Sequence, residues 1–271
     1  MITVICFSKD RPCQLELLLR SIGEKFHVDK KIYCQYTSTT EAFEMGFQKV
    51  AEMYPEVTFI KETDFKETLC RTLEEVDTEY IVFFTDDDVF LQDVEPVEAI
   101  KDAYIRNDSV HSLSLRMNPS ISYCYPANNT RISSPSGLVV KDGYMVWNWT
   151  YPEINQHTCW GYPMAINSHI YPSKDIIELI QRGSYRNVNS LESWLNGNRW
   201  YHKPYMLSFS ETKVFNVQNN FVQGPRMNEQ EYSIEWLNEQ FLDGKRISTD
   251  NIYGLEPQAA HGKIEYKMEI I

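Results

Sequence analysis

Apolar positions along the first ninety residues alternate between two periods, short continuous runs and stripes spaced three and four apart. Met1–Phe7 is a continuous run that predicts a buried strand, and Leu15, Leu18, Leu19 and Ile22 then recur at helical spacing up to a stop at Gly23. Ile32–Tyr36 predicts a second strand. Thr40–Tyr54 carries Phe43, Phe47 and Val50 on one face and predicts a second helix, closed by Pro55 before a third strand at Val57–Ile60. Phe65, Leu69, Leu73 and Val76 form a third helical stripe, and the buried run Tyr80–Phe84 leads straight into Thr85, Asp86, Asp87 and Asp88.

Strands alternating with helices predict an α/β fold, a mostly parallel sheet with helices on both faces. Right-handed crossovers march the first three strands in one direction, and the fourth then pairs most easily on the free side of the first. A switch point between strands one and four follows. Ligands of open α/β sheets bind beyond the strand C-termini at such a point, so Ser8–Arg11 and Asp86–Asp88 are expected to line one crevice.

Beyond Asp88 the alternation weakens. A helix is expected over Val97–Arg106 and an alternating strand over Val110–Leu115, followed by an irregular stretch rich in Pro, Asn and aromatic residues from Met117 to Tyr171. Helices are expected at Ser173–Arg182, with Ser173 as N-cap and Gly183 as stop, at Asn189–Asn196, and from about Asn228 to Leu242 with Gly244 as stop. Neither a repeat nor a linker is visible, which predicts one domain over 1–271, its second half grafted onto the sheet of the first.

Composition narrows the functional classes. The 271 residues are 42% hydrophobic and 24% charged, as in ordinary globular proteins. No run approaches the ~20 apolar residues of a membrane span, and the first residues lack the basic leader of a signal peptide. The formal charge is −12, and Lys61–Glu98 holds thirteen acidic against three basic residues. That surplus disfavours nucleic-acid binding and suits a divalent cation. Six scattered cysteines without zinc-like spacing predict reduced thiols and a cytoplasmic setting.

Three adjacent carboxylates at a strand end raise one another's pKa unless a cation compensates. Mg²⁺ or Mn²⁺ would answer, since such ions take one or two carboxylates and bridge to substrate phosphates. Alternatively an aspartate caps the following turn. A phosphatase-type D-x-D-x-[TV] loop is disfavoured because Phe90 stands where Thr or Val is needed.

The strand Tyr80–Asp88 resembles the "E-Y-I-x-F-L-D-x-D-D" strand of the nucleotide-sugar-dependent glycosyltransferases of the GT-A fold, especially their family-two-like group. Cys70-Arg71-Thr72 falls where that family often has Ala-Arg-Asn. Thr85 replaces the usual first Asp and Thr72 the usual Asn, so the cluster reads either as Asp86-x-Asp88 or as Asp87-Asp88. The resemblance implies a nucleoside-diphosphate sugar as donor, a UDP-sugar foremost, and a hydroxyl group as acceptor. It makes 1–115 the donor half and 116–271 the acceptor half. Asp88 is implied as the metal ligand, with Ser8, Asp10, Arg11, Tyr36, Arg71, Asp86 and Asp87 at the donor and Gln35, Glu62 or Asp64 nearby. Arg71 reads equally as a surface ion pair with Glu67 or Glu75.

In the second half, Trp160-Gly161-Tyr162 resembles the family's acceptor loop and Ser190–Leu195 its base-bearing helix, which makes Glu192 the implied general base, with Glu153 and Asp142 in reserve. An acidic residue in a first helical turn is also favoured by the helix dipole alone. His261 is implied as a further metal ligand, ahead of His157 and His202. Aromatic residues crowd this half; most are expected to be core, and Trp147, Trp149 and Trp160, outside any clear buried period, are the candidates to test for stacking on sugar rings. A base opposite the leaving group makes inversion the natural outcome. The rivals are a noncatalytic carbohydrate- or nucleotide-binding protein and a sugar-phosphate nucleotidyltransferase, the latter disfavoured because Ser8–Cys13 has no glycine.

Overall fold

The computed structural model describes residues 1–94, 109–125, 130–141, 143–220 and 231–271. Strands β1 (Ile2–Lys9), β2 (Lys30–Thr37), β3 (Val57–Lys61) and β4 (Tyr80–Thr85) alternate with helices α1 (Pro12–Lys25), α2 (Glu41–Met53) and α3 (Phe65–Glu74). All three helices lie where the apolar stripes place them. Thr40 caps α2 by accepting the N–H of Phe43 at 3.3 Å, and Asp64 caps α3 through Glu67 at 2.8 Å.

The remaining strands are β5 (Asp88–Phe90), β6 (Val110–Ser114), β7 (Tyr123–Cys124), β8 (Thr130–Arg131), β9 (Val139–Lys141), β10 (Tyr144–Asn148), β11 (His169–Pro172), β12 (Tyr205–Phe209), β13 (Val214–Val217), β14 (Lys245–Ile247), β15 (His261–Gly262) and β16 (Met268–Ile270). Helices α4 (Ser173–Arg182), α5 (Val188–Gly197) and α6 (Ile234–Leu242) and a 3-10 turn at Cys159–Gly161 complete the described elements. Pro172, rather than Ser173, stands at the cap position of α4, while Gly183 ends that helix as expected. The helix expected over Val97–Arg106 lies outside the described residues.

Nine strands form one sheet in the order β3-β2-β1-β4-β11-β6-β12-β10-β9. β1 pairs in parallel with β2 on one side and β4 on the other, which is the expected switch point. Parallel pairing does not extend across the whole sheet. β11 is antiparallel to both β4 and β6, so the sheet is mixed beyond its first four strands. Through β11 the second half continues the sheet of the first.

Side chains alternate across β1 and so divide between two cores. Ile2, Val4 and Cys6 join Leu15, Leu18, Phe47 and Phe241 under α1, α2 and α6. Ile5 and Phe7 face Phe65, Leu69, Ile176 and Leu191 under α3, α4 and α5. Helices therefore cover both faces. Trp147, Trp149 and Trp160 belong to a third core, each at most 2% exposed. Of the two readings open to these aromatics, core and sugar stacking, the three tryptophans take the first: the irregular segments around them wrap the indoles, which no periodic pattern could register. Nε1 of Trp147 donates to the carbonyl of Trp160 at 2.9 Å, and the two rings meet edge to face.

Candidate functional site

A cavity of about 760 Å³ opens beyond the carboxyl ends of β1 and β4, where the switch point predicts a ligand site. Ser8, Arg11, Asp86, Asp87, Glu192 and His261 line it, and so do Gln35 and Glu62. Residues as far apart in sequence as Ser8 and His261 thus share one chamber.

The β1–α1 turn is drawn tight against the aspartates. Asp10 adopts a left-handed φ of 56°, and its carboxylate accepts the N–H of Thr39 at 2.7 Å and the Thr39 hydroxyl at 3.0 Å. This carboxylate clamps the turn to the β2–α2 loop and does not line the cavity. Arg11, the next residue, is thereby delivered to the cluster: its Nη2 lies 2.6 Å from Asp86 and its Nη1 3.4 Å from Asp87. The positive charge that the triple aspartate demands is thus partly internal. Asp86 also accepts the Ser8 hydroxyl at 2.7 Å. Burial pushes its carboxyl up to about 6, against the pull of Arg11.

Asp88 does not reach the cavity lining. It opens β5, whose pairing with β13 sets it opposite Asn216, while β13 in turn sets Asn216 beside His261 on β15. Asp88 accepts the amide of Asn216 on one oxygen at 2.9 Å and the backbone N–H of Thr85 on the other at 3.0 Å. Desolvation, followed by the charge of Asp87, pushes Asp88 up to about 7. It behaves as a turn-capping aspartate. Asp86 and Asp87 both line the cavity, but Asp86 is taken up by Arg11 and Ser8, so Asp87, held by Asn216 Nδ2 at 2.9 Å, is the less committed carboxylate.

This donor set fits a hard divalent ion only sparsely. Among the described residues no three His, Cys, Asp or Glu side chains gather as a metal cage. Mg²⁺ and Mn²⁺ need no such cage where a diphosphate and water complete the shell, and Asp87 is placed to be the protein's carboxylate. His261 fits less well, because its Nε2 lies 2.6 Å from Nη1 of Arg116, a group that only donates.

At the cavity's other wall α5 presents Glu192. Asn187 and Ser190 close a reciprocal cap at the start of this helix, which fixes its first turn. Oε1 of Glu192 accepts the N–H of Ile166 at 3.0 Å, and the Tyr162 hydroxyl bonds to the same carboxylate. Burial raises the Glu192 pKa, opposed by Ile166, Arg116 and Tyr162. Tyr162 therefore stands behind Glu192, and Trp160 and Gly161 shape the loop that carries it. A Cβ at Gly161 would lie 2.7 Å from the carbonyl of Asn155, so only glycine lets these segments pass.

Two further candidates are not brought to the cavity. Tyr36 packs on Phe47 at 4.5 Å between ring centroids and bonds through its hydroxyl to Glu44 at 3.2 Å. Arg71 is exposed on α3, paired with Glu67 at 2.7 Å, one of the two surface partners its helical spacing allows. Glu153 is exposed and bonded to Ser136, and Asp142 lies outside the described residues. Asn216 and Arg116 were not singled out by the sequence. A polar residue inside the apolar run Val214–Val217 was the signal for the first; the second follows an alternating strand and offers none.

No family model matches the chain. Over 251 residues, 78% of its length, the chain is 28% identical to a bifunctional glycosyltransferase of Dictyostelium discoideum, and it covers 30% of that relative. Among solved structures it is similar to a mannosyltransferase of Pyrobaculum calidifontis in complex with GDP-Man and Mn²⁺, at 18% identity and a TM-score of 0.34 over 45% of this chain and 40% of that one. It is also similar to TarS of S. aureus in complex with UDP-GlcNAc, at 15% identity and a TM-score of 0.43 over 86% of this chain and 61% of that one. In sequence, then, the chain is a relative of a glycosyltransferase over most of its own length and about a third of that relative's.

Proposed function

We propose that this chain is a glycosyltransferase that moves a sugar from a nucleoside-diphosphate donor, a UDP-sugar foremost, to a hydroxyl group with inversion. The observation that carries the reading is that a single cavity at the switch point holds the Arg11–Asp86–Asp87 cluster on one wall and Glu192 on the other. The sequence similarity to a glycosyltransferase supports it independently.

Gln35 and Glu62 are the residues available to the base and ribose, and Gln35 Nε2 already meets Glu62 at 3.1 Å. Ser8 and Arg11 hold Asp86 and Asp87 in place at the diphosphate end. Asp87 would hold Mn²⁺ or Mg²⁺ there; when bound, the ion neutralises charge on the departing diphosphate. Glu192, its basicity raised by burial, takes the proton of the acceptor hydroxyl as that oxygen bonds to the anomeric carbon. The bond from that carbon to the diphosphate breaks, and its electron pair leaves with the phosphate. Ile166 and Tyr162 orient the base, and Tyr162 with Gly161 and Trp160 forms the acceptor side.

Reduced thiols at the buried Cys6, Cys13 and Cys34 support a reducing, cytoplasmic setting. Among the described residues no helix is long and apolar enough to cross a membrane.

Incubation with Mn²⁺ and a panel of sugar nucleotides tests the reading. Donor hydrolysis or transfer is expected, lost in Glu192→Gln with donor affinity nearly intact, and weakened in Asp87→Asn through the donor. Tight binding without turnover on any acceptor would favour a noncatalytic binding protein instead.

A further inference from the structure

Arg116 follows β6, which runs in the same direction as β4 because β11 is antiparallel to both. Its side chain therefore emerges at the same sheet edge as the aspartate cluster. The residue is 4% exposed. Among the described residues it has no carboxylate within ion-pair distance, its Nε has no acceptor, and the one partner of the guanidinium is Nε2 of His261 at 2.6 Å. A buried cation without an anion is costly, and such a group marks a place where an anion binds.

The contact also decides the chemistry of His261. A guanidinium has five N–H donors and no acceptor, so Nε2 must present its lone pair to Arg116 and the ring proton must sit on Nδ1. The imidazole lines the cavity, and Nδ1 has no partner among the described residues. With Nε2 taken up and Nδ1 protonated, neither nitrogen is free to ligate a metal. What remains is an N–H donor backed by a full positive charge.

We propose that Arg116 and His261 form a phosphoryl-oxygen-binding pair, with Arg116 fixing His261 as the Nδ1–H donor that meets an anionic oxygen in the cavity. Naming that anion as the donor's diphosphate rests on the glycosyltransferase reading; the pair as an anion site does not. Burial and the Arg116 charge both hold the His261 pKa well below its ordinary value, so the imidazole stays a neutral donor through the physiological range. The pair lies beside the carboxylates: β13 sets Asn216 opposite Asp88 on one side and beside His261, the partner of Arg116, on the other.

Titration calorimetry with inorganic pyrophosphate, uridine, guanosine, UDP, GDP and a panel of sugar nucleotides, in EDTA and then with Mn²⁺, tests the proposal on wild type, Arg116→Gln and Arg116→Lys. Pyrophosphate is expected to bind wild type in EDTA, at least tenfold more weakly to Arg116→Gln, with uridine and guanosine affinities unchanged. Should Arg116→Gln fail to fold, Arg116→Lys, which keeps the charge but not the fork, is expected to lose at least threefold. Nitrogen-15 NMR of the His261 ring in wild type is expected to show a protonated Nδ1. No pyrophosphate binding to wild type, equal binding to the folded variants, or a protonated Nε2 would each overturn the pair. Pyrophosphate binding lost in Arg116→Gln while no sugar nucleotide binds would instead retain the pair and sink the glycosyltransferase reading.

Discussion

Nη2 of Arg11 lies 2.6 Å from Oδ1 of Asp86 with both side chains buried, an ion pair closed across the switch point between β1 and β4. Removing one partner of such a pair leaves a bare charge inside, which costs about 3–5 kcal/mol, far more than the pair itself is worth. Arg11→Met is therefore expected to lose stability on that scale in urea unfolding. The double variant Arg11→Met/Asp86→Asn should recover a large part of the loss. Additive losses would mean the two groups are not coupled.

Glu192 carries a stability cost along with its proposed role. Its pKa is raised in the folded chain, so protonation favours folding, and that contribution is present below the unfolded value and lost as pH rises through the folded one. Glu192→Gln, which mimics the protonated form, is expected to be more stable than wild type at pH 8, with the gap closing toward pH 4. A gap independent of pH would remove the titration argument.

His111 predicts acid lability. It is fully buried, stacked on Trp200 at 5.0 Å, and accepts the backbone N–H of Trp200 on Nε2 at 3.3 Å. Burial, then Lys203, pushes its pKa down to about 3. The unfolded chain takes up the proton from about pH 6.5 downward while the native state does not, so stability falls with pH over that window. Between pH 7 and pH 5 this group alone should remove about 2 kcal/mol. His111→Gln keeps an acceptor and should flatten that slope in thermal unfolding.

Trp160→Ala is expected to unfold the acceptor side rather than to weaken acceptor binding selectively. The ring is 2% exposed and packed edge to face on Trp147 at 5.2 Å, and loss of a buried indole costs about 3–5 kcal/mol. An unchanged melting temperature with a raised acceptor KM would return Trp160 to the binding surface.

Arg71→Ala is expected to leave stability within about 0.5 kcal/mol and donor affinity within twofold, since its partner Glu67 is equally exposed. A tenfold loss of donor affinity would contradict the surface placement.

Much of this was legible in one dimension. The strands and helices up to Asp88 follow from periodicity, because each is built from local contacts and one buried face. The switch point followed too, since the handedness of crossovers leaves few ways to order four strands. The second half was less legible: strands of two to five residues in an aromatic-rich stretch bury their side chains by long-range wrapping, and no period marks Trp147 or Trp160 as core.

Within the site, the residue types were readable and their roles were not. Asp86, Asp87 and Asp88 look alike in sequence, but the turn between β4 and β5 sends successive side chains to different surroundings. Asp86 is closed onto Arg11 and Ser8, Asp87 shares the cavity lining with it and is held by Asn216, and Asp88 turns away to Thr85 and Asn216. The sequence by itself determined that negative charge would gather at the exit of the fourth strand. Only the tertiary structure decided which cation answers it and that Arg116 reaches His261, because these contacts join positions up to 145 apart, and local chemistry carries no record of such distances.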